Sequence, residues 1–90
     1  MSDEASVPRF RRSVKFRFDA VREAWVLLAP EKLFMPDEVA VEILKLIDGV
    51  RTIAEIADNL AARFDAPRDV IVADVMVTLD KLSDRGAVQL

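Results

Sequence analysis

The sequence predicts an α+β fold with a winged helix-turn-helix outline, in which an N-terminal three-stranded antiparallel sheet precedes three helices and a possible short terminal strand. Three observations predict it. Apolar residues recur at every second position from Val14 to Phe18 and at helical spacing from Ala40 onward. The links between the early strands are far shorter than the dozen or so residues a parallel crossover needs. The last two helices are joined by a link of a few residues ending at Pro67. With 90 residues, 52% of them apolar, the chain makes one domain with one core.

Taken in order, residues 1–12 carry small and polar residues, Pro8 and a basic cluster with neither period, and read as a flexible N-terminal arm ahead of a single domain over 13–90. In Val14 to Phe18 the alternation places Val14, Phe16 and Phe18 on one face and Lys15 and Arg17 on the other, the pattern of a half-buried strand. Ala24 to Ala29 is apolar on both faces, as a strand covered on two sides requires, and Pro30 suits the turn that follows. Lys32 to Met35 forms a brief third strand at the sheet edge.

Asp37 caps a first helix with Ala40, Ile43, Leu44 and Ile47 inward, and Gly49 falls where a left-handed C-terminal cap belongs. Thr52 and Glu55 make a capping box for a second helix, whose apolar stripe is Ile53, Ile56, Ala57, Leu60, Ala61 and Phe64. Pro67 starts a third helix that ends near Arg85, before Gly86, and Ala87 to Leu90 is a possible closing strand. In this helix Ile71, Val72, Val75, Leu79 and Leu82 share the core face, with Met76 at its margin. A second stripe, Val70, Ala73 and Val77, lies on the far side, so the helix touches two things.

Composition excludes much chemistry. The chain has no Cys and no His, which removes disulfides, thiol nucleophiles, Cys/His zinc sites and imidazole bases. Its 16 carboxylates show no metal-loop spacing, and both glycines serve helix ends, so no catalytic or metal site is expected, nor any cofactor. No apolar run approaches the roughly 20 residues of a membrane span, and Met1 to Val7, without a positive n-region or an apolar h-region, does not read as a signal peptide, which makes a cytoplasmic protein the default expectation.

Charge is unevenly distributed. Residues 9–22 hold six basic residues (Arg9, Arg11, Arg12, Lys15, Arg17 and Arg22) against Asp19, a net of +5, whereas from Glu23 onward seven basic residues face thirteen acidic ones. The basic face is either a solvated hairpin surface or a docking surface for an acidic partner. The third helix carries Asp69, Asp74, Asp80 and Asp84 against three basic residues, so it would repel phosphates and nucleic acid is not an expected partner. What remains is recognition of a peptide or protein. An edge strand beside a helix with a surplus apolar stripe makes a groove to which an extended peptide could add as a strand; the alternative is that the stripe packs beneath the sheet. A winged-helix DNA-binding regulator and a homo-oligomerisation module stay open as other classes.

At Trp25 to Glu31, Trp-Val-Leu-Leu-Ala-Pro-Glu, the chain resembles the PqqD family of pyrroloquinoline quinone (PQQ) biosynthesis. The resemblance continues through Asp37-Glu-Val-Ala-Val-Glu-Ile-Leu, Asp48-Gly49, Ile53-Ala-Glu-Ile-Ala, Phe64-Asp65 and Asp74-Val75, and spans roughly residues 14–90. It implies a non-catalytic chaperone, a recognition element for ribosomally made peptides that binds the precursor PqqA and presents it to the radical-SAM enzyme PqqE. In related domains the leader adds as an antiparallel strand beside the third helix. The resemblance thereby implicates Leu33, Phe34 and Met35 in backbone pairing and Val70, Ala73, Met76 and Val77 in apolar contact. Lys15, Arg17 and Arg22 are the expected docking face for the enzyme.

Overall fold

The structure, a computed structural model, describes residues 3–90. Its elements run β1 (Arg9–Phe10), β2 (Lys15–Asp19), β3 (Ala24–Ala29), β4 (Lys32–Phe34), α1 (Glu38–Leu44), α2 (Ile53–Phe64), α3 (Arg68–Asp84) and β5 (Val88–Gln89). The class is α+β, with three helices and antiparallel sheets. The strands form two sheets where the sequence predicts one: β2-β3-β4, and a separate pair β1-β5.

That second sheet takes in part of the segment expected as a flexible arm. Arg9 pairs with Gln89 and Phe10 with Val88, joining the two ends of the chain, and the Arg11 amide extends the contact by donating to the Ala87 carbonyl. Upstream, the Ser6 and Glu4 carbonyls accept from the Ile53 and Ala54 amides at 2.9 and 3.0 Å. These are donors in the first turn of α2, which has no partners of its own there. Arg68, at the start of α3, binds Glu4 at 2.6 Å and Asp58, and the two carboxylates, Asp58 foremost, raise its already high pKa. Pro8 is fully buried. Met1 and Ser2, the start of the expected arm, lie outside the described residues.

The main sheet is a meander. β2 pairs with β3 from Lys15↔Leu28 to Asp19↔Ala24, and β3 pairs with β4 through Leu27↔Phe34, Leu28↔Leu33 and Ala29↔Lys32. Val26 and Leu27 are neighbours on the central strand, point to opposite faces and are both fully buried, as expected of a strand covered on two sides. Phe16 stacks on Trp25 with ring centroids 4.8 Å apart, and Phe18 meets the same indole edge-on at 5.8 Å. Phe16 packs against the core, whereas Phe18, at the end of the strand, is more than half exposed.

The helices close the core. Asp37 caps α1 by accepting from the Ala40 amide at 2.8 Å, but α1 stops at Leu44, short of Gly49. Its end tightens into bonds from Leu46 to Ile43 and from Ile47 to Leu44, which rotate Ile47 inward. Gly49 (φ 78°) belongs instead to the following turn, where Asp48 accepts from the Val50 and Arg51 amides. On α2 the capping box is complete, with the Glu55 amide donating to Thr52 Oγ1 at 3.1 Å and the Thr52 amide donating to Glu55 Oε1 at 2.9 Å. α3 ends in a Schellman motif, Gly86 (φ 79°) bonding the Ser83 carbonyl and Ala87 the Leu82 carbonyl. Ile43, Leu44, Ile53, Ile56, Leu60, Val75, Leu79 and Val88 form the cluster these elements bury, each fully buried side chain contributing roughly 1.5–3 kcal/mol.

Candidate functional site

β4 is an edge. Within its sheet only β3 pairs with it, so one side of Lys32–Phe34 keeps main-chain donors and acceptors without a strand partner. The two-residue turn that delivers it, Pro30 and Glu31, sets Glu31 at φ 66°. Beyond the strand, Met35 is exposed, and Pro36 has no amide to donate, which ends the strand before the α1 cap.

Pro36 also enters the lining of a groove of about 840 Å³. The groove takes Val39 and Ile43 from α1, Leu60 and Phe64 from α2, Ile71 and Val75 from α3, and Trp25 from β3. Val39 and Phe64 are more than half exposed. Phe64 thus leaves the core stripe expected for α2; it is the last residue of the helix, which Asp65 ends in the left-handed conformation (φ 50°). On the polar side, Glu42 accepts from Arg63 Nη2 at 2.7 Å and from Lys45 Nζ at 3.4 Å. Those cations, Arg63 above all, hold the Glu42 carboxyl below its usual range. Lys45 Nζ also stands 5.0 Å from the Trp25 ring centroid. Such a surface can hold an extended apolar segment.

The expected contact residues are only partly assembled. Leu33 and Met35 are exposed, while Phe34 is half-buried opposite Leu27. On α3, Val70, Ala73 and Val77 are exposed, so this stripe does not pack beneath the sheet. None of the three lines the groove; Val70 and Val77 stand four and three residues from Asp74, a groove residue, and are its neighbours on the helix surface. Met76 is half-buried and packs on the core. Ile71 and Val75 keep the core positions their period assigns, Val75 fully buried and Ile71 packed at the core edge, and with Asp74 they are the α3 residues that also line the groove; Val39 was missed altogether. Its signal was available: Val39 is an apolar residue outside the inward set of α1.

Lys15 and Arg17 are exposed on β2, opposite Leu28 and Val26. Arg22 donates to Asp19 at 2.7 Å, and Asp19 also accepts from the Arg22 and Val21 amides; the bonds from Arg22 lead in lowering its pKa. Among the described residues no group of carboxylates is arranged to hold a metal ion, and no helix is long and apolar enough to cross a membrane.

Fold and site together define a class, that of small α+β domains with an open strand edge beside a helix-lined groove. The same fold occurs in lasso peptide synthetase B1, solved in complex with its leader peptide, at a TM-score of 0.80 over 94% of this chain and all of that one, with 16% identity. The family model for PqqD, coenzyme PQQ synthesis protein D, matches residues 24–88, and the chain belongs to the PqqD family. It is 47% identical over 83 residues to the PqqA binding protein of Bradyrhizobium diazoefficiens, covering 92% of this chain and 81% of that protein. It is also similar to the solution structure of the PqqD truncation of Methylobacterium extorquens PqqCD, described as a functional, stand-alone recognition element for ribosomally synthesized and post-translationally modified peptides. There the TM-score is 0.86 at 40% identity, over 100% of this chain and 96% of that one.

Proposed function

We propose that this protein is a non-catalytic peptide chaperone of PQQ biosynthesis that binds the PqqA precursor by strand addition and presents it to the radical-SAM enzyme PqqE. The observation that carries the reading is the unpaired outer edge of β4 beside an apolar groove. An extended peptide pairing with Leu33, Phe34 and Met35 would satisfy that edge, and its alternate side chains would meet Val39, Phe64, Ile71 and Val75, with Val70, Ala73 and Val77 alongside. Relatives bearing the name PqqA binding protein, and a stand-alone recognition element of the same fold, support the assignment. Lys15 and Arg17, on the β2 side of the sheet away from β4, offer a separate docking face for the enzyme, with Arg22 contributing less because Asp19 holds it.

Titration with a synthetic PqqA-type peptide tests the placement. Amide shifts are expected to be largest at residues 32–36 and at Val39, Phe64, Ile71 and Val75; shifts confined to residues 9–22 would refute it. Sedimentation at rising concentration without peptide separates this function from an oligomerisation module using the same edge.

A further inference from the structure

The groove carries an uncompensated negative charge. Four carboxylates line it, Glu23, Glu38, Glu42 and Asp74, against two cations, Lys45 and Arg63. Both cations are bound by a single carboxylate, Glu42. Asp74 on the α3 wall and Glu38 on the α1 wall have no ion pair among the described residues. The sequence around Asp74 explains why: its helical neighbours three and four residues away are Val70, Ile71, Val77 and Thr78, all uncharged.

A carboxylate in this position is tolerable while water reaches it. Once a peptide lies along the exposed part of the groove over Ile71, Val39 and Phe64, Asp74 loses hydration and needs a partner, which the protein does not supply. An acidic ligand residue there would be repelled by Asp74 and Glu38 together; a basic one would form a charge-assisted hydrogen bond in a partly dried site.

Resting on the peptide-binding function proposed above, we propose that the groove selects a peptide segment in which a Lys or Arg stands between apolar residues, and that Asp74 determines this specificity by receiving the cation. The apolar neighbours of that cation occupy the floor formed by Val39, Phe64, Ile71 and Val75. The charge preference therefore belongs to the groove, with Asp74 as its receiving group, and is not a general property of an acidic protein.

Calorimetry with a synthetic PqqA-type precursor peptide and a set of its single Lys→Gln and Arg→Gln variants tests this against wild type, Asp74→Asn and, as a control away from the groove, Asp84→Asn. One basic peptide position is expected to cost about tenfold in affinity when neutralised, as a charged hydrogen bond is lost. Asp74→Asn should cost about the same, and in that variant the peptide change should have little further effect. Asp84→Asn should bind like wild type. The proposal is overturned if the peptide binds the groove but no basic position and no Asp74 change alters affinity more than about twofold, or if Asp84→Asn weakens binding equally. A peptide that does not bind, or that shifts amides only outside the groove, would instead refute the peptide-binding function itself.

Discussion

Glu42 accepts hydrogen bonds from residues of two helices, from Arg63 on α2 and Lys45 just beyond its own helix, and so ties α1 to α2 along the groove. Because these partners depress its pKa, the stabilisation is fully present above the ordinary glutamate range and is lost as pH falls through the lowered value. The pair is partly exposed, so its worth is at most about 1 kcal/mol. Denaturation midpoints of wild type and Glu42→Gln should differ by that much near pH 7 and converge once the pH has fallen below the ordinary glutamate range and through the lowered value; a gap that persists in strong acid would show that Glu42 acts by packing. The Thr52–Glu55 box and the Asp37 cap were legible in the sequence, because a cap is a contact between residues three apart. The role of Glu42 was not, since its main partner lies 21 residues away.

At the scale of elements, the N-terminal strap is the largest departure from expectation. Ser6 and Glu4 supply carbonyls to α2, Glu4 also binds Arg68 at the start of α3, and β1 pairs with β5. Removing residues 1–7 should therefore cost about 1–3 kcal/mol, from two exchanged backbone hydrogen bonds and one exposed ion pair. Thermal unfolding should show a midpoint lower by several degrees; an unchanged midpoint would restore the picture of a loose arm. Nothing local announces this strap. β1 and β5 are two residues each, too short for a period, and their pairing joins opposite ends of the chain. The longer elements declared themselves because β2, β3, α2 and α3 repeat their pattern over several residues. The end of α1 was misplaced because Gly49 marks a turn as readily as a helix cap.

Across the whole molecule, the basic segment 9–22 lies on β1, β2 and the β2–β3 turn, while four carboxylates line the groove. β2 and β4 are opposite edges of the main sheet. Under the function proposed above, that arrangement would let peptide and enzyme bind at once without competing for one surface. Lys15→Glu combined with Arg17→Glu should weaken complex formation with PqqE by about tenfold or more at low salt while changing PqqA affinity less than about twofold. Co-sedimentation and calorimetry on the same variant measure the two effects, and intact complex formation would dismiss the docking face.

The order of residues was sufficient for the class of fold, the three helices, the meander and the absence of Cys and His chemistry, because each depends on composition or on neighbours within a turn or a strand. Which apolar side chains stay uncovered was settled only by packing. Phe64 obeys the same helical period as the buried residues beside it, yet it is more than half exposed, Ile71 is only half-buried at the edge of the core, and Val39 joins the groove from a helix whose inward set leaves it out. Periodicity names a face of a helix; whether that face meets a core, a groove or water depends on where the other elements end, and that is a property of the assembled chain.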